Sequence, residues 1–227
     1  MEENSAMPNG QLLAQTYIAV GFPIGLLAAP GQEDPLNQGD PLFWIRYGDK
    51  FHGITPLAML VWLRAMNLAT GEEIYEYMLS KKVLDLPELL VNLINDLLAE
   101  GLILPYNPGQ LSAKILSLRV IAQGLGLGIN SESPKEFLIS HFDGRPVAGL
   151  DFASYILWMY FDGWRTIQQA IQDAAVFLQV EQSALTDHAA SLLPVLLKTH
   201  SVFLDLSLKA AAPTKKPPKK FDYPFLV

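Results

Sequence analysis

The stretch GLDFASYILWMYFDGWRTIQQAIQDAA (residues 149–175) decides the fold that we expect for this chain. Its first half is almost wholly apolar and stops at Asp162-Gly163, and Thr166 then opens a Thr-x-x-Gln motif. Glycine adopts positive φ without steric cost and so favours a turn. A hydroxyl residue followed three positions later by Glu or Gln forms a capping box at a helix start. The pattern therefore predicts a buried helix, a turn at Asp162-Gly163 and a second helix after Thr166.

A related stretch, GITPLAMLVWLRAMNLATGEEIYEYM (residues 53–78), repeats this pattern in the first half of the chain. Trp62 aligns with Trp158 and Thr70 with Thr166 at one constant spacing, and both tryptophans are expected in the core. Upstream, each copy has a Gly-x-x-x-Gly segment after an apolar run. Downstream, each has a third helix and an apolar strand. Because these unlike pieces recur in the same order, we interpret the chain as an internal duplication.

Each copy also predicts a β-hairpin. The runs FWIRYGDKFHGI and FLISHFDGRPVAGL are broken by the turn signals Gly48-Asp49 and Asp143-Gly144. The segment GLGLG (residues 124–128) lacks the spacing of a phosphate-binding loop, and no helix follows it directly. It predicts instead a β-bulge or a close approach between strands.

Capping residues predict further helix boundaries. Thr55, which is followed by a proline, and Asp151 are the expected N-caps of the two apolar helices. Asp85 and Glu88 predict a capping box for the third helix of the first copy. The equivalent helix of the second copy contains Pro194, which predicts a kink or an end.

Together these elements predict an α+β fold of two tandem, duplicated winged-helix-like units, each with a preceding β-hairpin and three helices. The first unit, with its N-terminal β-strands, is expected over residues 1–110 and the second over residues 111–208. Residues 209–227 are rich in lysine and proline, so we expect an extended tail there.

Composition narrows the classes of function. The 227 residues carry a formal net charge of −7, which disfavours sequence-independent binding to polyanions because phosphate contacts need clustered Lys and Arg. The chain has no cysteine, which excludes disulfides and thiol nucleophiles. The N-terminal MEENSAMPNG shows no secretory signal, and no apolar run is long enough for a membrane span. We therefore expect a cytoplasmic protein that does not bind membranes.

The sequence shows no catalytic constellation. The histidines are scattered and form no H-x-x-x-H pair; they are His52, His141, His188 and His200. His52 and His141 fall in the predicted hairpins and could meet across the units, although histidines on a strand surface are the simpler interpretation. We predict a protein that is not an enzyme, with no catalytic, cofactor-binding or metal-binding residues and no cofactor.

A winged-helix fold raises one alternative, a DNA-binding transcriptional regulator whose third helix enters the major groove. The outward residues expected on that helix include Glu88 and Asp96 in the first unit and Asp187 in the second. These carboxylates have the wrong charge for phosphate contacts. Nucleic acid therefore stays an alternative that the acidic charge disfavours.

At LDFASYILWMYFDGWRTIQQAI (residues 150–171) the sequence resembles the PqqD-like family, small winged-helix-type domains that hold peptides for modifying enzymes. That family shows an apolar first helix ending in Asp-Gly, a short gap, then Thr and an amphipathic helix. The first copy keeps Trp62 and Thr70 but has Met66-Asn67 in place of Asp-Gly. The resemblance implies a binding module and identifies no ligand. The matching residues are Leu150, Ala153, Ile156, Trp158, Asp162, Gly163, Thr166 and Ile171.

Two groups of residues are candidates for partner binding. Trp164 follows the Asp-Gly pair and Leu68 holds the equivalent position of the first copy, so a hydrophobic patch is expected to recur at this turn. The apolar end of the tail, FDYPFLV, adds Phe221, Tyr223 and Phe225. The sequence thus predicts a protein- or peptide-binding adaptor. It leaves open the oligomeric state and whether the tail docks in cis or in trans.

Overall fold

A computed structural model of the protein describes residues 9–27 and 42–206, which form a mixed α+β structure. The elements in these ranges are α1 (Asn9–Ala14), β1 (Thr16–Ala19), β2 (Phe22–Leu27), β3 (Leu42–Tyr47), β4 (Lys50–Ile54), α2 (Pro56–Ala65), α3 (Gly71–Ser80), α4 (Pro87–Ala99), β5 (Ile103–Tyr106), α5 (Ala113–Leu116), β6 (Arg119–Ala122), β7 (Leu125–Ile129), β8 (Phe137–Ser140), β9 (Pro146–Leu150), α6 (Phe152–Met159), β10 (Asp162–Thr166), α7 (Ile167–Leu178), α8 (Gln182–Lys198) and β11 (Val202–Asp205). Within these ranges every helix is too short or too polar to cross a bilayer.

The element order of residues 9–106 largely recurs over residues 113–205. Each stretch has a short helix, a strand, a three-stranded antiparallel sheet, three longer helices and a final strand. The sequence does not predict the short helices α1 and α5, because helices of six and four residues are too short to show a helical periodicity. The predicted α+β class is confirmed. The duplication, the winged-helix-like units and their limits (1–110, 111–208 and the tail 209–227) stay predictions.

Two three-stranded sheets, β2-β3-β4 and β7-β8-β9, contain the predicted hairpins. The last two strands of each sheet are joined at Gly48-Asp49 and around Asp143-Gly144, as the turn signals predict. The Gly-rich segments supply the first strand of each sheet. In β7 the register shifts between Gly126 and Gly128, which confirms the predicted bulge.

Gly124 shows why the Gly-x-x-x-Gly segments need glycine. Its φ is +116°, and a Cβ at this position would overlap the carbonyl oxygen of Ser140 on β8. Gly21, just before β2, has φ +105° and would place a Cβ 2.8 Å from the carbonyl oxygen of Arg46. The chain can approach its neighbouring strand this closely only where it has no side chain.

Four helices begin where capping residues predict. The side chains of Thr55 and Asp151 accept hydrogen bonds from backbone N–H groups in the first turns of α2 and α6. Complete capping boxes open α3 and α7, formed by Thr70 with Glu73 and by Thr166 with Gln169. These interactions satisfy N–H groups that a helix end otherwise leaves unpaired.

The turn predicted at Asp162-Gly163 is wrong. These residues begin β10, which pairs with β6 around a register shift between Asp162 and Thr166. The Asp162 carboxylate accepts hydrogen bonds from the backbone N–H groups of Trp164 (2.9 Å) and Arg165 (3.1 Å), so the Asp-Gly pair shapes a bulged strand. Turns and bulges favour the same residues, so the Asp-Gly pair does not distinguish them. The pairing with β6 could not be predicted either, because β6 lies far upstream in the chain.

Two other helix boundaries differ from the prediction. α4 begins at Pro87 with Leu86 as N-cap, so Asp85 and Glu88 do not form its capping box. The reason is Pro87, because the residue before a proline is driven to extended geometry and proline suits the first helical position. α8 continues through Pro194, so an end at this residue is wrong. Buried leucines on both sides of the proline hold the helix against the core, namely Leu192, Leu193, Leu196 and Leu197.

Two apolar cores share the ribbon formed by β1 and β5. Tyr17 belongs to the core built on α2, α3 and α4, whereas its neighbour Ile18 belongs to the core built on α6, α7 and α8. Because side chains alternate along a strand, one ribbon serves both cores. Trp62 and Trp158 are buried in the two cores, as expected. The two halves therefore pack through a common element.

Candidate functional site

Trp164 is exposed, as the sequence predicts. Its side chain lies on β10 and the residue is 79% exposed. The neighbouring Arg165 lies over the ring of Tyr160, 5.3 Å from its centroid, and its Nε donates a hydrogen bond to Asp173 (2.7 Å). The strand beside Trp164 is thus anchored to α6 and α7 while the indole faces solvent. Its role in partner binding stays a prediction.

Leu68 lies in a different environment. It has φ +59°, is half buried and packs against the core of the second half. The turn therefore does not present matching exposed residues in the two halves, because Leu68 is used within the chain. Phe221, Tyr223 and Phe225 lie outside the described residues.

The two hairpin histidines have separate surroundings. His52 Nδ1 lies 3.3 Å from Glu100 Oε2, and its ring meets Tyr47 edge-on. His141 lies in the β8–β9 connection, where its backbone N–H donates a hydrogen bond to the Arg145 carbonyl (3.0 Å). His52 thus links its hairpin to Glu100 at the end of α4, whereas His141 contacts its own β8–β9 connection.

Ser154, His188 and Asp151 form a cluster that resembles a nucleophilic triad only in composition. Ser154 Oγ lies 2.8 Å from His188 Nε2, and Asp151 Oδ1 lies 3.8 Å from the same nitrogen. In a working triad the carboxylate binds the other ring nitrogen, and the serine is open to substrate. Here Ser154 is buried, so the cluster joins the start of α6 to α8 and is not arranged for nucleophilic attack. Sequence analysis could not find this cluster, because His188 on α8 lies 34 residues from Ser154 on α6.

The electrostatics of Asp151 fit this structural role. Its Oδ1 accepts a hydrogen bond from the backbone N–H of Ser154 (2.7 Å). Burial acts to raise the pKa of Asp151, but the hydrogen bonds from Ser154 and the nearby His188 outweigh it and hold the pKa below its usual value. The carboxylate is therefore stabilised in its charged, helix-capping form.

Asp205, at the end of β11, joins the two halves of the protein. Its Oδ2 accepts a hydrogen bond from Arg119 Nη2 (2.6 Å) and lies 3.5 Å from Arg46 Nη2. Its Oδ1 accepts hydrogen bonds from the backbone N–H groups of Gly48 (2.6 Å) and Leu206 (2.8 Å). Arg46 and Gly48 lie in the β3–β4 hairpin, whereas Arg119 lies on β6. These contacts join one half to the other, and because Asp205 is fully buried its carboxylate is closed to a ligand.

The edge strand β7 has the properties of a binding site for an extended chain. It lies at the end of the sheet β7-β8-β9 and, among the described residues, pairs with β8 alone. Leu125, Leu127 and Ile129 are 46%, 47% and 63% exposed. An edge strand offers unpaired N–H and C=O groups, and proteins commonly blunt such edges with charge, proline or a β-bulge. β7 carries no charge and no proline, and although it has a bulge at Gly126–Gly128, Leu125, Leu127 and Ile129 stay exposed.

The corresponding strand of the first half, β2, is blunted. It contains Pro23, which has no N–H to donate to a further strand. At its start the backbone N–H of Gly21 donates a hydrogen bond to the Leu204 carbonyl (2.7 Å), and Phe22 meets Phe203 edge-on. β11 therefore covers one end of β2. The two sheets thus differ in their edge strands, because β2 is partly covered and β7 is exposed.

Aromatic packing holds the β7 sheet in place. Phe137 of β8 stacks on Tyr155 of α6 at 4.9 Å between centroids and also contacts Phe152 (5.5 Å). A Cβ on Gly126 would overlap the Tyr155 hydroxyl, so β7 lies directly against this helix. The edge is thus presented on a packed support. The alternation L-G-L-G-I indicates a strand in the sequence. Because a buried strand can show the same alternation, local sequence could not show that its leucines face solvent.

The outward faces of α4 and α8 are acidic or neutral. Glu88, Asn92 and Asp96 are exposed on α4, and Gln182 and Asp187 are exposed on α8. A helix that enters the major groove needs cations for the phosphates beside it. The nucleic-acid alternative thus stays a prediction that these surfaces do not favour.

Comparison with known proteins gives little further information. No protein-family model and no curated protein matches the chain. The chain is similar to the solved structure of PKMT2 from Rickettsia typhi, with 14% sequence identity and a TM-score of 0.33. That alignment covers 88% of this chain and 45% of that chain, so the chain spans less than half of its length. A TM-score this low carries no conclusion about fold or activity.

Proposed function

We propose that this protein is a non-enzymatic, cytoplasmic protein- or peptide-binding adaptor, and that its partner adds as an extended strand to the edge of β7. The observation that carries the proposal is a backbone edge that no further strand of the described residues covers, combined with exposed Leu125, Leu127 and Ile129. In strand addition, main-chain hydrogen bonds supply affinity, and pockets for alternate side chains supply specificity. The partner segment is therefore extended, and its apolar side chains lie beside Leu125, Leu127 and Ile129 in the enlarged sheet.

Other features support a binding role. The resemblance of residues 150–171 to PqqD-like domains implies a module that holds peptides. The Ser154–His188 pair is built into the helix packing, and Asp205 is fully buried, which supports a structural role for both. The absence of cysteine in the sequence fits the reducing cytoplasm.

The test uses the full chain and a random peptide library. Immobilised protein selects from peptides of about ten residues, which is longer than a typical strand. An enriched peptide is synthesised, and its affinity is measured by calorimetry for the wild type and for Leu127→Lys. A lysine on an edge strand opposes the addition of an apolar strand, so we expect the affinity to fall by at least about tenfold.

Ile24→Lys is the matched control, because Ile24 is an exposed apolar residue on the blunted strand β2. We expect its affinity for the same peptide to equal that of the wild type. Enrichment of no peptide, or equal affinity of Leu127→Lys and the wild type, would overturn the proposal.

A further inference from the structure

The bulge in β7 distributes its apolar side chains over both faces of the sheet. Residues directly opposite each other in an antiparallel pair have their side chains on the same face, and side chains alternate along a strand. Ile129 lies opposite Phe137, whereas Leu125 lies opposite Ser140, three residues further along β8. Because three is an odd number of steps, Ile129 and Leu125 lie on opposite faces of the sheet. In a strand without a bulge they would share a face, since they are four residues apart.

The face that carries Ile129 is the one that packs against α6. Phe137, which lies opposite Ile129, stacks on Tyr155 at 4.9 Å between ring centroids and contacts Phe152 at 5.5 Å. Gly126 gives a second indication, because a Cβ on this residue would overlap the Tyr155 hydroxyl. Gly126 and Ile129 therefore both face α6.

An apolar surface on this face is open to solvent beside β7. We name it the α6 floor and define it by Ile129, Phe137, Phe152 and Tyr155. Ile129 and Phe152 are 63% and 50% exposed, and the other two are half buried. A strand added to β7 would lie about 4.8 Å from it. The side chains that such a strand places on this face therefore come within reach of the exposed part of the floor.

Gly126 leaves a gap on this face, because it has no side chain. An aromatic residue on a neighbouring strand can cover a glycine of an edge strand. Here it would also contact the Tyr155 ring, whose hydroxyl lies against Gly126. The partner position opposite Gly126 therefore favours an aromatic residue, and the position opposite Ile129 favours any large apolar residue.

The two partner positions have a defined spacing. Gly126 and Ile129 are three residues apart in β7, with the register shift between them. On β8 the residues opposite them, Ile139 and Phe137, are two residues apart. A regular strand on the other edge of β7 must likewise place both contacts on the α6 face, so its two contact residues are also separated by one residue.

We propose that Gly126 and the α6 floor determine which segment binds to β7. The segment is an extended chain with two large apolar residues separated by a single residue. The one opposite Gly126 is aromatic, and the one opposite Ile129 contacts Phe152. This inference rests on the strand addition proposed above and adds the chemistry of the partner that the site selects.

An alanine scan of the enriched peptide tests the spacing with the wild-type chain. Its affinity for the full-length protein is measured by calorimetry after each replacement. We expect the affinity to fall by at least about tenfold at two apolar positions separated by one residue, as for other buried anchor residues. One of the two is expected to be aromatic. Absence of such a pair in a peptide that Leu127→Lys no longer binds would overturn this inference and leave strand addition intact.

Protein variants connect the second of these peptide residues to the α6 floor. Phe152→Ser and Ile129→Ser alter well-exposed side chains, so the fold should be kept, and thermal unfolding checks this. Both should weaken binding of the enriched peptide. Both losses should shrink when the non-aromatic anchor of the peptide is alanine, because residues in contact are not additive. Phe177→Ser is the matched control, since Phe177 on α7 is 57% exposed, and its affinity should equal that of the wild type.

Leu125→Ser distinguishes the two faces of the sheet. Its effect on affinity should be the same whether or not that peptide residue is alanine, because Leu125 lies on the face away from α6. Equal affinity of Phe152→Ser and the wild type, or coupling of that peptide residue to Leu125 instead of Ile129, would overturn the inference. Enrichment of no peptide would overturn the strand addition itself.

Discussion

At the scale of single residues, Asp151 couples folding to pH. Burial acts to raise its pKa, but the hydrogen bonds from Ser154 and the charge of the nearby His188 together outweigh burial and lower the pKa in the folded protein. A lowered folded pKa means that the unfolded chain binds protons more readily. The stabilisation from Asp151 is therefore complete above the unfolded pKa, about 3.9, and is lost as pH falls through the folded pKa.

Asp151→Ala should lower the free energy of unfolding at neutral pH by about 1 kcal/mol, because it removes the N-cap of α6. Urea unfolding of the wild type and the variant at several pH values provides the measurement. The difference between them should shrink as the pH drops below about 4. Asp151→Asn, which keeps an acceptor but does not titrate, serves as the control. A difference that stays constant down to low pH would contradict the assigned role of the carboxylate.

At the scale of elements, α7 has a hydrogen-bonded N-cap and α8 does not, so substitutions at the two N-caps should change stability in opposite directions. Thr166 closes a complete capping box at α7, whereas Glu181 caps α8 without a side-chain hydrogen bond. Thr166→Ala should therefore cost about 1 kcal/mol of unfolding free energy, and Glu181→Ser should add roughly 0.5 kcal/mol or more. Chemical denaturation of both variants tests this pair. Loss of stability in Glu181→Ser would show that its carboxylate acts in another way.

The elements that sequence could predict are those fixed by neighbours along the chain. The capping boxes at Thr70 and Thr166 depend on contacts three residues apart, and the hairpin turn at Gly48-Asp49 depends on one dipeptide. β10 could not be predicted, because its hydrogen-bond partner is the distant β6 and its Asp-Gly start is equally typical of a turn.

The candidate site was predictable only in part. The position of Trp164 beside the Asp-Gly pair predicts its exposure. Leu68, at the equivalent position of the first half, instead packs against the core of the second half. Local sequence could not distinguish the edge of β7, which no other described strand covers, from the blunted edge of β2, because β11 covers β2 only once the whole chain has folded. In both cases the environment depends on contacts between residues far apart in the chain, which local sequence does not show.

At the scale of the whole molecule, the shared β1–β5 ribbon and the buried Asp205 make the two halves interdependent. Asp205→Asn should lower the free energy of unfolding by about 3 kcal/mol, because Arg119 would remain buried without its charge partner. Arg145→Gln, which breaks an exposed ion pair with Asp143, should change it far less, because solvent screens exposed charges. Denaturant titration compares the two variants. Equal, small effects would show that the Asp205 cluster does not join the halves.

The proposed function depends on one edge strand, and amide hydrogen exchange examines that strand directly. Exchange is followed in the full chain with and without a peptide selected from the library. Strand addition places new hydrogen bonds on the outward N–H groups of β7, so amides within Leu125–Ile129 should exchange more slowly with peptide, while those of β2 should not change. Slowing that appears elsewhere in the protein and leaves β7 unaffected would contradict the account.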